Sequence, residues 1–97
     1  IEEGGNVGIG TTDPAAKLHI YDASDSVIRV QRSGSSAVSE WRYNGGTVEF
    51  GAISSDNVSL LTNDTGRIFI NANGNVGIGT VSPAYKLEVA GGIKASG

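Results

Sequence analysis

The sequence contains no cysteine and no methionine, and its 97 residues include one histidine and one tryptophan. Without thiols there are no disulfide staples, no thiolate nucleophile and no zinc–thiolate site. Lys and Arg number seven, scattered singly, against ten Asp and Glu, for a net charge of −3. A nucleic-acid surface needs clustered cations to release counterions from phosphates, so no nucleic-acid partner is expected. Proline occurs only twice, and the 15 glycines follow no Gly-X-Y period, which excludes collagen. No apolar run approaches the ~18 residues of a membrane-spanning helix, and no signal-peptide pattern opens the chain, so no membrane insertion is expected. No helical period of useful length occurs.

What is present points to strands. Val and Ile number nine each against four Leu, the balance of an all-β chain. Size then raises a stability problem. A chain this short buries only about 60–70% of its unfolded surface, and glycine carries the largest entropy loss on folding. Small proteins without disulfides usually rely on tidy packing, a metal or association, and association is the expectation here.

The strongest feature is an internal repeat. Residues 5–20 read GNVGIGTTDPAAKLHI and residues 74–89 read GNVGIGTVSPAYKLEV, with eleven of sixteen positions identical at an offset of 69. That offset exceeds the 20–50 residues of solenoid repeats, so each unit is nearly a domain. The chain divides into a first copy of the motif (1–20), a β-rich spacer (21–72), and a second copy with its tail (73–97). It reads as one spacer between two boundary motifs of a longer array.

Within the spacer, alternation assigns faces. In residues 26–32 Ile28 and Val30 share one side and Arg29 and Gln31 the other; in 37–43 Trp41 and Tyr43 oppose Glu40 and Arg42. In 47–53 Val48, Phe50 and Ala52 fall together, and 58–62 and 66–71 supply two more strands. Polar clusters at 33–36, 44–46, 54–57 and 63–66 read as turns. This spacing predicts a short-stranded sandwich, meander or small barrel. In the repeated motif, Val7 and Ile9, like Val76 and Ile78, alternate with glycines, leaving a bare face that another backbone can approach closely. Asn73-Gly74 predicts a hairpin turn between Ile70 and Val76. Asp13-Pro14 and Ser82-Pro83 place a capping residue before proline, which predicts one helical turn over 14–17 and over 83–86 before strands resume.

Readings that would carry chemistry are weak. Gly-x-x-Gly-x-Gly reverses the dinucleotide order, no Gly-Lys-Ser/Thr follows, and no cofactor is expected. His19 is replaced by Glu88 in the second copy and reads as a solvent-facing strand residue. A single histidine makes a nucleophilic triad improbable, and no enzymatic activity is expected. Asp22/Asp25 and Asp56/Asn57/Asp64 are the groups that weak calcium binding would use, but Asp in turns normally bonds the local backbone. Asp56 and Asp64 are also the acids that a depolymerase would need. Trp41, Tyr43 and Phe50 suit either a core face or a sugar platform. The triplets at Asn57 and Asn63 match the glycosylation acceptor pattern and are assigned no role.

The motif GNVGIGT-x-x-P-x-x-KL-x-V resembles a sequence repeated in bacteriophage tail fibres and related phage-like fibre proteins. There it follows a segment similar to Arg67-Ile68-Phe69-Ile70-Asn71-Ala72-Asn73-Gly74 and leads into a tail similar to Val89-Ala90-Gly91-Gly92-Ile93-Lys94-Ala95-Ser96-Gly97. The resemblance implies a homotrimeric segment of an extracellular virion fibre, a stiff spacer supporting host attachment between adjacent fibre modules. It also implies packing of Val7, Gly8, Ile9 and Gly10, and of Val76, Gly77, Ile78 and Gly79, near the trimer axis. The alternative is a carbohydrate-binding β-sandwich contacting host surface glycan through Trp41 and Tyr43, which predicts that both are exposed; the fibre reading predicts them covered.

Overall fold

The computed structural model describes residues 4–24 and 27–97, and these form nine strands and no helix. Strands β1 (Val7–Ile9) and β2 (Leu18–Ile20) make a two-stranded parallel sheet. Strands β3 (Val27–Gln31), β4 (Val38–Asn44) and β5 (Thr47–Ala52) form an antiparallel meander. Strands β6 (Val58–Thr62), β7 (Thr65–Ile70), β8 (Val76–Ile78) and β9 (Leu87–Val89) form the third sheet in that order, antiparallel except for the parallel pair β8–β9.

The alternation seen in the spacer sets the register of the meander. Trp41 lies between Ile28 and Phe50, Glu40 opposite Arg29, Arg42 opposite Glu49, and Tyr43 opposite Val48. Strands β6 and β7 join through Asn63 and Asp64, both with positive φ (51° and 55°), the conformation that matches the twist of a two-residue hairpin. The turn expected at Asn73-Gly74 also forms: Gly74 donates to the Asn71 carbonyl at 2.9 Å, and Ile70 pairs with Val76. Consequently the second motif copy continues the sheet that the end of the spacer begins.

One expectation needs correction. The helical turns over 14–17 and 83–86 do not form; both segments are bends. Side chains have taken the amides that would start them. Thr11 Oγ1 accepts from Asp13 N (3.1 Å) and Thr80 Oγ1 from Ser82 N (3.2 Å), while the Ala15 and Ala84 amides donate to His19 and Glu88. Of the sandwich, meander and small barrel expected for the spacer, a meander is present: among the described residues every substantial strand contact is between hydrogen-bonded neighbours.

Apart from Pro14 and Pro83, no apolar side chain among the described residues is buried. The chain exposes 7490 Å², where a folded monomer of this mass exposes about 5,200 Å². Its radius of gyration is 17.9 Å, against about 12.5 Å for a compact domain of this length. The strands are formed, and the core they would enclose is open.

Candidate functional site

The meander has two unlike faces. One carries a chain of ion pairs: Arg29 Nη2 to Glu40 Oε2 at 2.7 Å, Arg42 Nη1 to Glu40 Oε1 at 3.0 Å, and Arg42 Nε to Glu49 Oε1 at 2.7 Å. Asn44 Nδ2 completes the series by donating to Glu49 Oε1 at 3.0 Å. The two guanidinium groups roof Glu40 so closely that only 6% of it is exposed. Hydrogen bonding from Arg29, then from Arg42, holds the Glu40 carboxyl below its ordinary range; Arg42 and then Asn44 do the same for Glu49. The cross-strand pairs Arg29–Glu40 and Arg42–Glu49 each join opposite charges, so the charges on this face are satisfied and can meet water.

The other face is apolar and uncovered. Ile28, Val30, Trp41, Tyr43, Val48 and Phe50 form one patch across three strands, with Trp41 55%, Tyr43 50% and Phe50 73% exposed. Trp41 and Phe50 meet edge to face, ring centres 6.2 Å apart. A shallow hollow of about 250 Å³ beside them is lined by Ile28, Val30, Ser39, Phe50, Ala52 and Val58 among others. Antiparallel sheets commonly solvate one face and pack the other, and here only the solvated face is complete. A contiguous apolar surface of this kind marks an interaction site.

The two motif copies are the second candidate site, and their geometry repeats bond for bond. Val7 N donates to Lys17 O at 2.8 Å and Val76 N to Lys86 O at 2.9 Å; Tyr21 N donates to Ile9 O and Ala90 N to Ile78 O, both at 2.9 Å. Asn6 Nδ2 reaches the Pro14 carbonyl at 3.4 Å, and Asn75 Nδ2 the Pro83 carbonyl at 3.3 Å. Both prolines are buried. Each motif copy is thus a parallel strand pair closed by eight residues, shorter than the dozen or more of an ordinary parallel crossover.

The glycines make that closure fit. A Cβ on Gly8 would collide with the Thr11 carbonyl, and one on Gly77 with that of Thr80. Gly10 (φ 82°) lies against the Tyr21 carbonyl, and Gly79 (φ 78°) has the Ala90 carbonyl 3.3 Å from where a Cβ would sit. The backbone that crowds these four glycines is the chain's own. Val7 and Val76 are half-buried beside them, while Ile9 and Ile78 remain exposed.

Other sequence candidates fall apart. Asp22 accepts both the amide and the hydroxyl of Ser24 at 2.8 Å, bonds that lower its pKa, while Asp25 lies outside the described residues. Asp56 accepts from Ser54 Oγ, Asn57 Oδ1 accepts from Ala72 N at 3.0 Å, and Asp64 sits in the β6–β7 turn. No group of three or more acidic or histidine side chains suited to a metal occurs among the described residues. Neither the Glu40 ion chain nor the parallel pairing is among the sequence expectations. Strict alternation of opposite charges across β3, β4 and β5 is the available signal for the first. No protein-family model matches the chain, and no curated protein is significantly similar to it.

Proposed function

We propose that this chain is a structural segment of a homotrimeric fibre of the phage tail-fibre kind, a stiff spacer between modules that supports attachment to a host cell. One observation carries the reading: none of the nine strands among the described residues buries an apolar side chain, while one sheet offers an aromatic and aliphatic face opposite an ionic one. The surface in excess of a compact monomer is about 2,300 Å², the scale of an obligate interface. Apolar burial at roughly 25 cal/mol per Å² then makes the fold depend on association. The repeated motif and its likeness to fibre sequences select the fibre among oligomers. Sedimentation of the purified chain tests it. The expected species has three times the 9.9 kDa chain mass, and a well-folded monomer at micromolar concentration would overturn the reading.

The exposure of Trp41 and Tyr43 in the single chain favours a second reading, a glycan platform. Sugar sites combine a stacking ring with a few convergent polar groups. Beside Trp41 and Tyr43 the charged groups turn to the opposite face and are committed to one another, which favours a protein partner. A change in Trp41 fluorescence on adding host glycan to the assembled protein would reverse that preference.

A further inference from the structure

The two copies of the repeated motif differ in what lies along their outer edge. In the second copy β8 is flanked on both sides: β9 runs parallel on one edge and β7 antiparallel on the other, with Ile68 opposite Ile78, Phe69 opposite Gly77 and Ile70 opposite Val76. The bonds to β7 come at every second residue. Asn71 N donates to Asn75 O at 3.0 Å and Gly79 N to Arg67 O at 3.1 Å, which places Phe69 and Gly77 as the bonded pair between them. In the first copy β1 pairs only with β2 among the described residues. Val7 N and Ile9 O are used toward β2, so the Gly8 and Gly10 amides point to the other edge.

The entry to β1 is already shaped for a neighbour on that edge. Gly5 has φ 77° and Gly74 has φ 89°, so the turn glycine that returns β7 into β8 has the same left-handed backbone ahead of β1. At the repeat offset Ile1 stands in sequence where Ile70 stands. An edge with no second strand on it among the described residues is a template for strand addition.

We infer that the outer edge of β1 is an acceptor for an antiparallel strand of the β7 type, supplied by the stretch that leads into the Gly4-Gly5 turn, so that consecutive modules are sewn together by backbone hydrogen bonds. A second copy cannot lend its own β7, whose two edges are held by β6 and β8. The inference rests on the repeat and its pairing alone and holds whether or not three chains associate.

The test joins a copy of residues 58–69 directly to Ile1, which restores the 69-residue spacing, and compares amide exchange residue by residue with the unextended chain. In the unextended protein Gly8 and Gly10 exchange fast while Gly77 and Gly79 are protected. In the extended protein Gly8 and Gly10 slow to within about tenfold of Gly77 and Gly79. The same extension carrying Phe69→Pro in its copied strand removes the central donor and returns Gly8 and Gly10 to fast exchange, with β8 unaffected. Fast exchange at Gly8 and Gly10 in the extended chain, with Gly77 and Gly79 still protected, overturns the inference. Protection of both in the unextended chain also overturns it, because the edge is then covered by another copy. Failure of the trimer reading would appear in sedimentation and leave these exchange differences in place.

Discussion

His19 and Glu88 stand at equivalent positions and hold equivalent amides through different atoms: His19 Nδ1 accepts from Ala15 N at 3.0 Å, and Glu88 Oε1 accepts from Ala84 N at 2.9 Å. The difference between the copies is therefore chemical, and the architectural role is shared. His19→Glu should preserve the first motif copy, since the second copy already works that way. His19→Ala should cost about 1 kcal/mol through the unmade bond, read as a melting temperature below those of the parent and of His19→Glu. Equal melting temperatures for His19→Ala and the parent would show that the acceptor is dispensable.

Glycine in the repeated motif makes a sharper prediction. Gly8→Val and Gly77→Val drive a branched side chain into the Thr11 or Thr80 carbonyl, a backbone atom that cannot swing aside. Overpacking of that order costs about 1–3 kcal/mol, occasionally more. Gly92, which has open space around it, is the control: Gly92→Ala should be neutral. Thermal unfolding of the three variants separates them. Because the crowding is within one chain, the loss should persist upon dilution and should not scale with protein concentration.

How far these features were legible follows from the range of the interactions. Alternation in β3, β4 and β5 correctly placed Ile28 with Val30, Trp41 with Tyr43, and Arg29 away from both, because the two-residue period of a strand is local. The hairpin at Asn73-Gly74 was legible for the same reason. The parallel closure of Val7–Ile9 on Leu18–Ile20 was not, since it depends on Asn6 reaching Pro14 and on Thr11 fitting over Gly8, contacts that no periodicity encodes. The expected turn at Pro14 failed on a competition between acceptors: Thr11 and His19 offered side-chain partners to amides that a helix would have left free.

Acid should weaken the meander through Glu40 and Glu49. Their folded-state pKa values lie below the ordinary value of 4.5, so the stabilisation is fully present above that value and is lost as pH falls through the lowered values. Melting temperature should therefore be flat from neutrality to near pH 5 and decline below. Glu40→Gln lowers the neutral plateau and shallows the acid decline, so the two curves converge at low pH. Added salt should shrink the gap, chiefly through the Arg29–Glu40 pair, whose guanidinium is the more exposed of the two that Glu40 holds. Parallel curves from pH 7 to pH 2 would show that the ion chain does not respond to protonation of Glu40.

The apolar face supplies the decisive substitution. Phe50 is the most exposed of the patch at its centre line, opposite Trp41 and on the face away from Arg42. Phe50→Glu puts an unpaired carboxylate where the proposed neighbours would press and leaves the ion chain on the reverse face untouched. Central aromatic positions in interfaces are worth about 2 kcal/mol or more, roughly a thirtyfold weakening of association for each ring removed. The expected sedimentation pattern is a shift from three chains to one at low micromolar concentration, with loss of cooperative unfolding. Val81→Glu, a change at another exposed apolar residue outside the strands, should leave the assembly intact. If Phe50→Glu sediments and melts like the parent, this face is not where the chains meet.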